Sequence, residues 1–288
     1  MRVAAIFGPG ASPKQLRPFQ EAADATWTAQ PPTNSSEADA IVVLGGDGTI
    51  HRHLAELVRL QLPVLMVPCG SGNDFSWALG LRRMRDALAA WKTFAEGGSN
   101  VCAVDLGIVK ADSGVSPHEQ YFCTVAGVGL SSAIARRANR LPRWLLARGG
   151  YALSLPPTLL AFQPFAPKFS AGGGREAANS DQRIFLAAFA NTPAFGGGMN
   201  VAPRARLDDG QLDVCIVGKM SKLKLLALFP TVYFGRHLGI RGVEYFQARQ
   251  LRVETETPMD VYADGEYVCQ TPVEVGIAPG ALRVILPG

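Results

Sequence analysis

Ala40-Ile41-Val42-Val43-Leu44-Gly45-Gly46-Asp47-Gly48-Thr49-Ile50 is the stretch that decides the fold. Its first five residues form an apolar, β-branched run too short for a buried helix, which predicts a strand covered on both faces. From Thr49 onward, Ile50, Leu54, Leu57 and Val58 recur at helical spacing, so a helix is expected to begin there. A strand, a glycine turn and a helix N-terminus together make a place for phosphate. Glycine lets the backbone approach an anion, and the first helical N–H groups are unpaired at the positive end of the helix dipole. A carboxylate among phosphates repels them, so Asp47 makes chemical sense if it meets a Mg²⁺ ion or a substrate hydroxyl. Taken alone, Gly-Gly-Asp-Gly reads equally well as a tight turn with an acidic residue at a helix start.

Val64-Leu65-Met66-Val67-Pro68-Cys69-Gly70-Ser71-Gly72-Asn73-Asp74-Phe75 repeats the plan. A buried-strand run leads to a glycine turn, then to a polar N-cap candidate (Asn73 or Asp74) ahead of Phe75, Ala78 and Leu79. Two such units in tandem predict a βαβ arrangement with both turns at the carboxyl ends of parallel strands, where open α/β sheets bind nucleotides. With these stretches the chain resembles the diacylglycerol kinase catalytic-domain family, in its soluble bacterial lipid-kinase form, related to sphingosine and ceramide kinases. The residues that carry the resemblance are GGDGT at 45–49, PCGSGNDF at 68–75, FCTVAGVG at 122–129, FGGGMNVAPRARLDDGQLDVCIV at 195–217 and DGE at 264–266. They span most of the chain in the family's order, and as a set they are far more specific than any one of them.

Composition bounds the rest. A chain of 288 residues with 48% hydrophobic and 18% charged residues is long enough for one large or two modest domains and too apolar for disorder. The net charge of +4 favours anionic partners without indicating nucleic acid, and no RNA-binding aromatic signature or zinc-finger spacing occurs. Five scattered cysteines, Cys69, Cys102, Cys123, Cys215 and Cys269, sit mostly inside apolar runs and read as buried free thiols of a reducing compartment. No signal-peptide pattern opens the chain, and no apolar run reaches about 18 uncharged residues. A cytoplasmic protein, peripheral to the inner membrane face, is therefore expected.

In chain order, Arg2–Phe7 reads as a first strand ending at Gly8-Pro9-Gly10, residues 13–30 are weakly patterned, and Pro31–Ser36 is loop chemistry. Relatives open on an Asn-Pro-x-Ser-Gly turn and carry a fuller strand–helix unit before GGDGT. Here that segment looks short by a helix, which leaves Thr28 as a bare candidate for an adenine contact. The family's Asn-Glu after the isoleucine is replaced by His51-Arg52-His53, whose two histidines stand at i and i+2, point apart and make no metal pair. Their expected place is facing solvent or beside phosphate. Met84, Leu88, Trp91 and Phe94 mark a further amphipathic helix ended by Gly97-Gly98.

From Val101 many short strand candidates, 101–109, 121–125, 183–190, 211–217, 250–254, 259–262 and 273–275, alternate with Gly, Pro, Asp and Asn turns. The expected architecture is an α/β nucleotide-binding domain with a parallel sheet over 1–99, in the NAD-kinase and diacylglycerol-kinase manner. A β-rich sandwich domain for lipid substrate follows over 100–279. A final strand at 281–286 follows a Pro-Gly turn, and in the family the tail 280–288 crosses back to the first domain. Residues 171–180 read as a flexible loop. Residues 131–148, with Arg136, Arg137, Arg140, Arg143 and Arg148 among apolar side chains, read as a basic helix able to lie on an anionic membrane or merely a solvated face. Residues 222–238 either wall a lipid cleft or pack the core.

The resemblance assigns roles that the residues alone do not. It implies ATP and Mg²⁺, with Gly45, Gly46, Asp47, Gly48, Thr49, Ile50, His51, Gly70, Ser71, Gly72 and Asn73 around the nucleotide. It implies a structural Mg²⁺ on the Asp209 carboxylate and the carbonyls of Arg206 and Gln211, in a segment whose Asp-Asp-Gly would otherwise read as a turn. It makes Glu266 the general base for the lipid hydroxyl, with Asp47 and Glu266 contributed by different domains to the cleft where they close. No Walker motif and no protein-kinase catalytic set occurs, so the glycine turns must cradle the phosphates. The resulting expectation is an ATP- and Mg²⁺-dependent kinase of a diacylglycerol-like lipid met at a membrane surface, with no nucleic acid, no membrane span and a homodimer left open. Three alternatives stand beside it. A sphingoid base or other lipid is the rival acceptor, and a non-catalytic lipid- or nucleotide-binding protein is the rival of another class. An NAD kinase shares GGDGT, but its Gly-Ser-Thr-Ala-Tyr segment is absent.

Overall fold

The computed structural model describes residues 1–111, 118–142, 149–171, 175–176 and 182–288. The chain divides into two compact units, one of Met1–Leu106 with Pro279–Gly288 and one of Gly107–Ala278, so that the division falls inside the strand Val101–Ala111.

In the first unit the strands Thr26–Thr28, Arg2–Phe7, Ala40–Gly45 and Val64–Pro68 lie side by side and parallel, and Val284 pairs in parallel with Val64. All six residues of Ala40–Gly45 are buried, as a strand covered on both faces requires. The helix after it runs Asp47–Leu60, two residues earlier than its apolar spacing suggests, because Gly46 is its N-cap. Helix Met84–Ala95 buries Trp91, whose indole N–H donates to the carbonyl of Phe19 at 3.0 Å. Residues 13–30, weakly patterned in sequence, hold a short helix and a three-residue strand. Helix Pro13–Glu21 begins where the Ser12 N–H donates to Gln15 Oε1 at 2.8 Å, and Leu16 and Phe19 are its buried face. That short helix with Pro18 inside it has too few apolar positions for a periodic signal.

In the second unit Val243–Ala248, Leu212–Gly218, Ile184–Ala190, Val125–Gly129, Asp260–Ala263 and Glu266–Gln270 form an antiparallel sheet in that order. Facing it are Gln250–Thr255, paired with Pro167–Ala171 and with Val273–Gly276, and the hairpin of Gly107–Ala111 with His118–Phe122. Phe122, Phe169, Phe189, Val214, Val253 and Val275 fill the space between. All seven residues of Leu212–Gly218 are buried because this sheet is covered on both sides. Leu212, Val214 and Ile216 face the sandwich core, while Cys215 and Val217 face the helices behind. In Ile184–Ala190 a register shift between Ile184 and Leu186 reverses the alternation, so that Ala187 and Phe189 reach the core and Leu186 and Ala188 look outward. A parallel α/β first unit and a β-sandwich second unit are what the sequence predicts.

Three expectations are corrected. The Pro279-Gly280 dipeptide is no turn between two strands. One strand, Val273–Ile285, runs through it, with Gly280 at φ +61 and its N–H donating to Asp105 at 2.7 Å. Residue 125 opens a strand of its own, Val125–Gly129, separate from His118–Phe122. Cys102 is exposed, although Cys123 and Cys215 are buried and all five thiols are free. Burial pushes the Cys215 thiol up to about 12 and Cys269 to about 11, which disfavours the thiolate at both. Residues 143–148, 172–174 and 177–180, including Arg143 and Arg148, lie outside the described residues.

Candidate active site

In the first unit the two glycine turns meet backbone to backbone. Gly45 and Pro68 are partners at the ends of neighbouring parallel strands, so the turns that follow leave the sheet together. A Cβ on Gly70 would lie 2.4 Å from the Cα of Gly46, and one on Gly46 would lie 2.2 Å from the carbonyl oxygen of Gly72. Only glycine permits that approach. The N–H of Cys69 donates to Gly45 at 3.1 Å, and that of Asp47 to Gly72 at 3.0 Å. Asn73 closes the second turn on itself: its amide nitrogen donates to the Gly70 carbonyl at 2.8 Å and its oxygen accepts the Gly70 N–H at 3.0 Å.

Asp47 has protein partners of its own. Its Oδ2 accepts the N–H of Asp74 at 3.0 Å and its Oδ1 accepts that of Phe75 at 3.1 Å. These are the first two amides of helix Asp74–Ala78, and negative charge is favoured at such an end. A carboxylate in a phosphate-like setting thus finds positive backbone. The other residues expected around nucleotide divide by face. Ser71 is exposed, and Asp47, Gly48, Gly70, Gly72 and Asn73 are half-buried. Thr49, Ile50 and His51 turn inward and are buried. The Thr49 hydroxyl, expected on phosphate, packs under Gly8 and Gly45 instead, where a Cβ would come within 2.2 and 2.5 Å of it. Nor is His51 solvent-facing; His53 is the partly exposed histidine, with Nδ1 3.9 Å from Glu56. Thr28 is exposed and its hydroxyl accepts the Gln30 N–H at 3.3 Å.

In the second unit Asp264-Gly265 links Asp260–Ala263 to Glu266–Gln270, with φ of +51 and +84 at the two turn residues. Both angles positive is the hairpin turn whose twist matches its strands. Asp264 anchors it: Oδ2 accepts the Cys123 N–H at 2.9 Å, and Oδ1 accepts the Thr124 N–H at 2.7 Å and the Thr124 hydroxyl at 2.6 Å. The amide of Asn139 donates to the Gly265 carbonyl at 2.7 Å. Glu266, next along, is exposed. Asp264→Ala is expected to lower stability by about 2–4 kcal/mol, because it orphans the backbone N–H groups of Cys123 and Thr124 together with the Cys123 thiol and the Thr124 hydroxyl. A urea melt would show it; a midpoint that does not move would mean the turn holds without its anchor.

Sequence reasoning missed Tyr151. Its hydroxyl stands 2.4 Å from where a Cβ of Gly265 would lie, and its ring is 3.6 Å from the corresponding point on Gly196. Tyr151 also lines an apolar pocket of some 800 Å³, part of it open to solvent. Leu186, Ala188, Cys215 and Val217, the outward residues of the antiparallel sheet, form its floor. Its walls come from the helices Leu130–Ala138, Gly150–Ala161 and Lys222–Tyr233, and from Phe195 and Met199 of the FGGGMN stretch. A side chain that lines the pocket therefore also lies against the turn ahead of Glu266. Nothing local in the sequence marks Tyr151, since both of its glycine neighbours are distant along the chain.

The loop ahead of Leu212–Gly218 holds the other acidic cluster. Asp209 Oδ1 accepts the Gln211 N–H at 3.0 Å, and Oδ2 accepts the amide of Gln247 at 3.1 Å. The same amide reaches Asp213 at 3.4 Å, and the Tyr245 hydroxyl donates to Asp213 at 2.6 Å. Burial, with a smaller push from the Asp209 charge, holds the Asp213 carboxyl above the usual range. Asp208 is occupied by Arg206 at 3.0 Å. Among the described residues no three His, Cys, Asp or Glu side chains gather around one metal position. A cation here would rest on Asp209 and main-chain oxygens. Two carboxylates sharing one neutral amide fit such a hard cation. In the basic segment, Arg136 pairs with Asp260 at 3.1 Å, while Arg137 and Arg140 are exposed.

Two family models match most of the chain. Residues 9–107 match the model of the diacylglycerol kinase catalytic domain, and residues 124–286 match that of the YegS C-terminal NAD kinase beta sandwich-like domain. A diacylglycerol kinase of Mycobacterium tuberculosis is 34% identical over 249 residues, which cover 86% of this chain and 77% of that protein. One from Bacillus subtilis is 28% identical over 253 residues, covering 87% and 78%. A crystal structure of a putative diacylglycerol kinase from Bacillus anthracis superposes with a TM-score of 0.74 at 23% identity, over 99% of this chain and 95% of that one.

Proposed function

This chain belongs to the diacylglycerol kinase catalytic-domain family and is a lipid kinase, and we propose that it transfers the γ-phosphate of ATP to a hydroxyl of a diacylglycerol-like lipid. The observation that carries the acceptor is the apolar pocket whose lining includes Tyr151, which lies against Gly265, one residue from Glu266. An acyl chain in that pocket brings its polar end to the turn. There the hydroxyl oxygen attacks the γ-phosphorus, the bond from that phosphorus to the bridging oxygen of ADP breaks, and the hydroxyl proton passes to the Glu266 carboxylate.

The glycine turns supply the nucleotide half. Gly46, Gly48, Gly70 and Gly72 allow the close approach of phosphate, with exposed Ser71 at the tip. Asp47 is the residue to hold the Mg²⁺ that accompanies ATP, a carboxylate at the foot of both glycine turns whose two oxygens face the amides of Asp74 and Phe75. That ion would neutralise charge on the transferring phosphates. A second, structural Mg²⁺ would be held by Asp209 with the carbonyls of Arg206 and Gln211, tying the loop to the strand behind it.

The test is transfer of labelled γ-phosphate to diacylglycerol, monoacylglycerol, ceramide, sphingosine and phosphatidylglycerol in micelles, and to NAD in solution. Label in diacylglycerol supports the reading, label in ceramide or sphingosine moves the acceptor within the class, and label in NAD alone overturns it. Asp209→Ala is expected to lower the melting temperature and to erase its dependence on Mg²⁺. A variant that melts like the wild type, with and without chelator, would remove the structural metal from this loop.

A further inference from the structure

The apolar pocket of the second unit has a histidine in its wall that phosphoryl transfer does not use. Of the lining residues only Ser131, Tyr151 and His237 carry oxygen or nitrogen in the side chain. His237 lies in the turn after helix Lys222–Tyr233. Its neighbours Arg236 and Gly239 are exposed, yet His237 itself is only 1% exposed. One bond fixes the ring: Nε2 stands 2.9 Å from the Val201 carbonyl, and Val201 lines the same pocket. A carbonyl only accepts, so Nε2 carries a proton. Burial holds the imidazole below its usual pKa range, against the weaker opposite pull of that carbonyl. The ring is therefore neutral near neutral pH, and Nδ1 presents a lone pair. Nδ1 is buried and has no hydrogen-bond partner among the described residues. A buried acceptor left without a donor carries its full desolvation penalty, so a group that brings a donor is favoured there.

We propose, resting on the reading that an acyl chain enters this pocket, that the pocket selects lipid chains bearing a hydroxyl, which donates to His237 Nδ1. This hydroxyl belongs to the chain and is distinct from the one that accepts phosphate beside Glu266. A plain chain packed against Nδ1 leaves the acceptor unpaired, whereas a hydroxyl replaces there the bond it gives up to water. Sites that bond a hydroxyl discriminate in this way against the analogue lacking it. Other donors fit less well. An ammonium would bring a charge into a pocket with no carboxylate in its lining, and an amide would bring a carbonyl that needs a donor of its own.

The experiment is competition binding to the full chain, in which a fluorescent fatty acid is displaced by stearate, by hydroxystearates and by their methyl ethers. The hydroxyl is placed near the carboxyl end, at mid-chain or near the methyl end. At one of these positions the hydroxystearate is expected to bind about tenfold tighter than stearate. Its methyl ether, which keeps the oxygen and loses the donor, should bind no tighter than stearate. His237→Phe should bring the ratio of hydroxystearate to stearate affinity to about one. The ether comparison needs no variant, so a His237→Phe chain that fails to fold does not remove the test. Equal binding of hydroxystearates and stearate would overturn the proposal and leave His237 as a tie between its turn and Val201. A hydroxyl preference shared by the ether, or kept by a folded His237→Phe, would also overturn it. Displacement by no chain at all would remove the acyl reading of the pocket and this proposal together, a result unlike equal binding. Because the readout is chain affinity, absence of lipid phosphorylation does not bear on it.

Discussion

Glu266→Gln is expected to lower turnover by about three orders of magnitude while leaving ATP affinity and melting temperature at their wild-type values. The substitution keeps the side chain's shape and removes its negative charge and its ability to take a proton. Its position makes it a clean test of chemistry. The turn before it is held by Asp264 on Cys123 and Thr124 and by Asn139 on Gly265, none of which involves the Glu266 side chain. The side chain itself is exposed, so no packing is lost. Proton transfer is asked of Glu266 only as the new P–O bond forms, when the attacking oxygen becomes far more acidic than a free alcohol. Single-turnover transfer of labelled phosphate, with nucleotide titration alongside, separates the two effects. A variant as active as the wild type would leave the turn as a structural hairpin and nothing more, and a variant that also lost ATP would place Glu266 with the nucleotide rather than the acceptor.

What the sequence shows of this molecule is what is local. The strand Ala40–Gly45 and its glycine turn are legible because β-branched runs, glycines and helix starts act over a few residues. Partners distant in the chain are not legible. Asp47 finds its donors at Asp74 and Phe75, which the strand pairing of Gly45 with Pro68 delivers. That pairing explains a carboxylate the local chemistry leaves unsettled. Thr49 is misplaced for a related reason: a threonine after a glycine turn has one chemistry, but the helix phase turns it inward beneath Gly8. Pro279-Gly280 carries turn chemistry, and Gly280 does take a positive φ, yet sheet pairing on both sides carries a single strand through it. Tyr151 and His237 need the folded chain before they mean anything, because which side chains meet is a property of packing and not of periodicity.

Gly70→Ala should abolish nucleotide binding and cost stability together, by about 3 kcal/mol or more. The added methyl would fall 2.4 Å from the Cα and 2.6 Å from the nitrogen of Gly46, and 3.1 Å from the carbonyl of Gly72. All three are backbone atoms, so no side chain can swing aside. Relief comes only if the two turns part, and parting them breaks the bonds from Cys69 to Gly45 and from Asp47 to Gly72. It also draws the half-buried Asp47 carboxylate off the amides of Asp74 and Phe75, at the cost of those two bonds. The cradle would be lost as a unit. Gly97→Ala is the control, in the same unit at φ +85 with nothing within 4 Å of the new methyl. It pays only the left-handed strain, about 1 kcal/mol, and keeps ATP. Calorimetric titration and thermal melts of the pair decide the matter. If Gly70→Ala binds ATP as Gly97→Ala does, the close approach of the two turns serves packing and the phosphates bind elsewhere.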